Sequence, residues 1–140
     1  MKLTKNFTLE ELTITSVSGE NNPSTVQIEA LQRLAINVLQ PLRDSFGQPI
    51  QINSGFRSEV VNKKVGGSPT SSHCKGEAAD LSCSDNSAIF HIIRKQLIFD
   101  QLIWEAGDDK QPGWVHVSYR ESNNRNQVLR MRNGKYELMP

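Results

Sequence analysis

One long segment fixes the class of fold open to this chain. From Ile28 the apolar residues Leu31, Leu34, Ala35, Val38, Leu39, Leu42 and Phe46 recur mostly at steps of three and four, the spacing that gathers them on one face of a helix. Ser24 and Gln27 give that helix a cap-like start, Gly47 suits the residue that ends it, and Pro49 blocks continuation. Pro41 falls inside the segment; lacking an N–H and crowding the turn before it, it must kink or restart the helix. The apolar face then needs a core to pack into.

The later residues supply strands. Pro49 to Asn53 reads as a short strand, Ser58 caps a helix over Glu59 to Val65 closed by Gly66-Gly67, and Glu77 to Ser82 reads as a buried strand. Ser84 or Asp85 caps a further helix carrying Ile89, Ile92, Ile93 and Leu97. Phe99 to Glu105 and Trp114 to Tyr119 are apolar-rich strands joined by a polar loop, hence an antiparallel hairpin. Alternation places Trp114, His116 and Ser118 on one face of it and Val115, Val117 and Tyr119 on the other. Val128 to Met131 and Tyr136 to Met139 flank Asn133-Gly134, a strong hairpin signal. Near the start, Thr8 and Glu11 form a capping box that predicts a short helix from Leu9, followed by a loop over 13–24. The fold class is α+β, a small antiparallel sheet flanked by helices, in a single domain spanning residues 1–140.

Composition narrows the function. With 16 basic and 15 acidic residues and no basic block, nothing marks a nucleic-acid or anionic-membrane partner; a monomer is expected. Met1-Lys2 leads into Leu3, Thr4, Lys5 and Asn6 rather than an apolar run, so no signal peptide is expected and synthesis is cytoplasmic. No apolar window of about 18 residues exists. Cys74 and Cys83 are expected to be free thiols, since two irregularly spaced cysteines make no disulfide framework.

The chemistry-bearing residues cluster between Ile52 and Leu81 and recur at Trp114 to His116. A catalytic zinc site takes three ligands from His, Asp, Glu or Cys and leaves a fourth position open. His73 lies in a loop rich in small residues, Asp80 enters an apolar strand where a lone carboxylate is expensive, and His116 sits mid-strand. Their spacing also suits an Asp80 that caps a turn or pairs with Arg57 or Lys75, and an ordinary strand histidine at 116. His91, beside Phe90 and Ile92, suits a packed or surface histidine. Arg57, at a strand end after Ser54-Gly55-Phe56, is placed to clamp a carboxylate or to form a structural ion pair. Glu105 ends the strand paired with that of His116, as a general base or as an exposed acid at the mouth of a loop.

Ser54-Gly55-Phe56-Arg57-Ser58, Val65-Gly66-Gly67-Ser68, Ser71 to Asp80 and Trp114 to Ser118 together resemble the zinc D-Ala-D-Ala carboxypeptidase family, peptidase family M15, and in particular its phage-endolysin-like members. The family pattern S-x-H-x-x-G-x-A-x-D is complete from Ser71 to Asp80, and the resemblance runs from Asn6 to Tyr119, leaving the C-terminal hairpin outside. It implies the fold shared by these peptidases and the hedgehog signalling domain. It implies Zn2+ held by His73, Asp80 and His116, catalytic roles for Arg57 and Glu105, and substrate contacts from Arg57, Ser72 and Trp114. The implied reaction is hydrolysis of peptidoglycan stem-peptide or cross-link bonds, by an endolysin or cell-wall remodelling enzyme that reaches the wall by phage-type release or within a virion. A non-catalytic zinc-containing module that binds peptidoglycan or protein is the alternative on the same scaffold. Many relatives carry the catalytic acid three residues before the last histidine; here that position is Gly113, which turns attention to Glu105.

Overall fold

The long periodic segment is helical in two pieces. In the computed structural model, which describes residues 1–140, α1 spans Thr25–Leu34 and α2 spans Gln40–Phe46. Ser24 and Gln27 complete the expected capping box. Between the helices, Ala35–Leu39 winds as a wider π turn in which the Gln40 N–H reaches back to the Ala35 carbonyl. Pro41 explains the break: it removes a donor from the α ladder, and the loosened turn before it lets α2 restart with proline in its first turn. Gly47 ends α2 at φ 76°, donating to the Arg43 carbonyl at 2.9 Å.

The remaining elements are β1 (Gln51–Ser54), α3 (Glu59–Lys64), β2 (Ala78–Ser82), α4 (Asn86–Gln96), β3 (Gln101–Glu105), β4 (Trp114–Ser118), β5 (Gln127–Arg132) and β6 (Lys135–Leu138). The strands form one sheet in the order β1-β2-β4-β3-β5-β6. Ala79, Leu81, Leu102, Trp104, Val115 and Val117 point from it into a core with Leu31, Leu34, Val38, Leu39, Leu42, Ile89, Phe90 and Ile93. The opposite face carries Asp80, His116 and Ile103 at register positions facing one another and is left open by the helices. No helix is long and apolar enough to cross a membrane, and both cysteines are free.

One expectation needs correction. The segment after Thr8 is only a turn. The capping box forms, with Thr8 N–H on Glu11 and Glu11 N–H on Thr8 Oγ1, both at 3.1 Å. Thr13 then turns its hydroxyl back onto the Leu9 carbonyl at 2.9 Å, a side-chain bond that competes with propagation. The α+β class holds, with helices beside a mostly antiparallel sheet whose one parallel pair joins β5 to β3. After β4 the chain is already at the end of the sheet where β3 starts, so residues 119–126 need only pass β3 for β5 to rise on its far side.

Buried Asp100 fastens that crossing. It takes two bonds from the Arg125 guanidinium, at 2.9 and 2.8 Å, and one from the Arg125 N–H at 3.2 Å. Arg120 stands off at 3.7 Å with its side chain 42% exposed. Asp100→Ala is therefore expected to cost about 2 kcal/mol in urea unfolding, and Arg120→Ala less than about 1 kcal/mol.

Candidate metal centre

Each site residue owes its place to a nearby backbone constraint. The Leu12 carbonyl accepts from Phe56 N–H at 2.7 Å, and it fits because residue 55 is glycine: a Cβ there would stand 2.4 Å from that oxygen. The Gly55 carbonyl in turn takes the Nδ1 proton of His73 at 2.7 Å. His73 itself lies in a 3-10 turn, Ser72–Lys75, ended by Gly76 at φ 72°. A Cβ on Gly76 would lie 2.5 Å from the Gln27 carbonyl, so the glycine of the ten-residue pattern lets this turn press against α1.

With Nδ1–H committed to Gly55, a neutral His73 ring turns the Nε2 lone pair toward the Asp80 carboxylate, 3.4 Å from Oδ1. His116 Nδ1 approaches the same oxygen at 3.0 Å from the neighbouring strand, where Asp80 and His116 are direct partners. A nitrogen lone pair facing a carboxylate oxygen asks for a cation between them, a proton or a metal. The three donor atoms all lie within 4.8 Å of one another. Two imidazoles and a carboxylate opening onto a groove suit a zinc-type ion with a free position for substrate. Burial works against the Asp80 charge, but the hydrogen bond from His116 and, when a proton stands on Nε2, that from His73 outweigh it and hold the carboxyl well below its usual range. The ion pairs with Arg57 or Lys75 that the sequence also permitted are not formed.

The groove, about 560 Å³, runs along the open face with the Gly66–Ser72 loop as one wall and the β5–β6 hairpin as the other. Arg57, Ser72, His73, Asp80, Glu105, Trp114 and His116 all line it. Arg57 offers a buried Nε with no partner in the chain. Glu105 is buried opposite Trp114; burial, reinforced by the Asp80 charge and opposed by His116, pushes its carboxyl up. Gly113, three residues before His116, donates its N–H to the Glu105 carbonyl at 2.8 Å. A carboxylate thus enters at this level from the adjacent strand. His91 stays outside the cluster, exposed and edge-on to Phe90 and Trp104.

The sequence did not announce the groove's other residues. Lys75, Glu77, Arg120 and Arg125 form a charged end, and Leu129, Met131 and Tyr136 arrive from the C-terminal hairpin. The hairpin was legible from Asn133-Gly134, whereas its pairing with β3 had no local signal. A second, open depression lined by Arg94, Phe99, Val128 and Leu138 has no comparable set of ligating groups.

A sequence profile described as peptidase M15 matches residues 5–118. The chain belongs to the peptidase M15 family. Within curated proteins, a zinc D-Ala-D-Ala carboxypeptidase of Streptomyces albus G is 39% identical over 80 residues, which are 54% of this chain and 31% of that protein. The chain therefore matches less than a third of that relative's length, and the C-terminal hairpin lies beyond the family match.

The raised pKa of Glu105 sets a stability prediction for the metal-free protein. A carboxyl whose folded pKa exceeds its unfolded value favours folding when protonated and loses that advantage as pH rises through the folded pKa. Glu105→Gln should raise Tm at neutral pH, because the amide fills the same space without a buried charge. The gain should vanish by about pH 4, where the native glutamate is also neutral. Thermal melts of the two proteins at both pH values check it.

Proposed function

We propose that this domain is a zinc-dependent peptidase that hydrolyses stem-peptide or cross-link bonds of bacterial peptidoglycan, in an endolysin or cell-wall remodelling role. The observation that carries the reading is the convergence of His73 Nε2, Asp80 Oδ1 and His116 Nδ1 beside a buried carboxylate, Glu105, and an unpartnered guanidinium nitrogen, Arg57 Nε, in one groove. Family membership and the named activity of the Streptomyces relative support it.

In this reading His73, Asp80 and His116 hold the ion. Zinc supplies Lewis acidity, polarising a peptide carbonyl and making water nucleophilic near neutral pH. Glu105 takes the proton from the attacking water and returns it to the leaving amine, a task suited to a carboxyl whose pKa burial has moved toward neutrality. Arg57 donates to a substrate carboxylate or to the negative charge that develops on the carbonyl oxygen. Ser72 and Trp114 contact the peptide from the loop wall and the floor. A monomer acting on the wall after phage-type release accords with this role.

Purified cell walls test the proposal, read as soluble peptide released with zinc, with EDTA, and after zinc is restored. Release should require zinc. His73→Ala and His116→Ala should lose bound zinc and activity together, while Arg57→Ala and Glu105→Gln retain zinc and lose activity by at least about 100-fold. Stoichiometric zinc with no peptide released by the unaltered protein would leave a binding module instead. Zinc retained by both histidine variants would overturn the ligand assignment.

A further inference from the structure

Among the groove-lining residues beyond the family match, Arg125 is bonded to Asp100 and Arg120 stands loosely beside the same carboxylate at the far, charged end, while Leu129 and Met131 are apolar. Tyr136 is the remaining one. It stands opposite Met131, which stands opposite Glu105, which stands opposite Trp114. Directly paired residues share a face, so these four side chains form a row across the open side of the sheet, with an aromatic ring at each end and the Glu105 carboxylate between them. Tyr136 is 59% exposed and its hydroxyl takes no partner from the chain. A phenol is neutral at physiological pH, so the hydroxyl is a donor as well as an acceptor. The hairpin carrying it is set by Asn133 and Gly134, at φ 52° and 75°, and its two strands are tied by an ion pair from Arg132 to Glu137.

We infer that Tyr136 is a substrate-binding residue: its hydroxyl donates to a main-chain carbonyl of a peptide lying in the groove, and its ring closes the Glu105 end opposite the Gly66–Ser72 wall. The inference rests on the peptide-hydrolase reading and deepens it. An extended peptide supplies carbonyl acceptors along its length, and a rigid phenol gives one directed bond at little entropic cost. The exposed ring is dispensable for folding, so its loss should register in binding.

The test uses full-length protein and muropeptides with intact peptide stems, prepared from digested peptidoglycan. Affinity is measured on the zinc-loaded Glu105→Gln background, and kcat and KM on the otherwise unaltered enzyme. Tyr136→Phe should raise both Kd and KM about five- to tenfold, the worth of one neutral hydrogen bond. Its kcat should stay within about twofold, and its Tm and zinc content should be unchanged. Tyr136→Leu should weaken binding further by removing the ring as well. Parent-like Kd and KM in Tyr136→Phe, or a loss confined to kcat, would overturn the assignment. A parent protein that binds muropeptides without cleaving them would sink the peptidase reading and still permit the Tyr136 comparison through Kd. A parent that binds none would overturn both.

Discussion

Much of this site depends on one hydrogen bond, from His73 Nδ1 to the Gly55 carbonyl at 2.7 Å. It fixes the tautomer of the ring and decides which nitrogen faces Asp80, the kind of partner that metal-ligating histidines commonly need. Its strength comes from behind. The Gly55–Phe56 peptide is held by the Leu12 carbonyl, and Leu12 is fully buried at the end of the turn that Thr8 and Glu11 cap. A turn near the N-terminus thus orients a ligand some sixty positions later in the chain, and the missing side chain at Gly55 is what permits the approach.

The sheet divides the work between its faces. One buries aliphatic side chains against the helices; the other brings Asp80 and Glu105 close enough to interact, yet moves their acidities in opposite directions. Asp80 accepts from His116, and from His73 when that ring carries a second proton, and those bonds overcome the cost of its burial. Glu105 has no such donors, so burial dominates. Environments that separate two carboxyls in this way suit them to the different roles proposed above, Asp80 to that of a charged ligand and Glu105 to that of a proton carrier. The same burial sets the Glu105 charge against the stability of the fold.

The three converging side chains and their surroundings were legible because each rested on a local signal. Asp80 follows an Ala-Ala step and His116 alternates with Val115 and Val117, so a period of two placed both side chains on the open face. Ser58 and Ser24 announced their helices through their own hydroxyls. The failures involve competition or distance. Thr13 ended a turn that the capping box had begun, and the π turn before Pro41 answers a missing donor in a way that periodicity does not encode. The parallel β3–β5 pair depends on where β4 leaves the chain and on an Asp100–Arg125 contact across 25 positions. Without that pairing, Tyr136 had no reason to be associated with the groove.

The strand order also distributes mobility. β2 and β4, which carry Asp80 and His116, each have a hydrogen-bonded neighbour on both sides, whereas β6 is an edge strand whose four residues are all exposed. Local opening begins where backbone bonds are few and solvated and reaches doubly paired strands last. The β6 edge can therefore open more readily than the strands that carry Asp80 and His116, so the open face joins a mobile rim to a steadier floor.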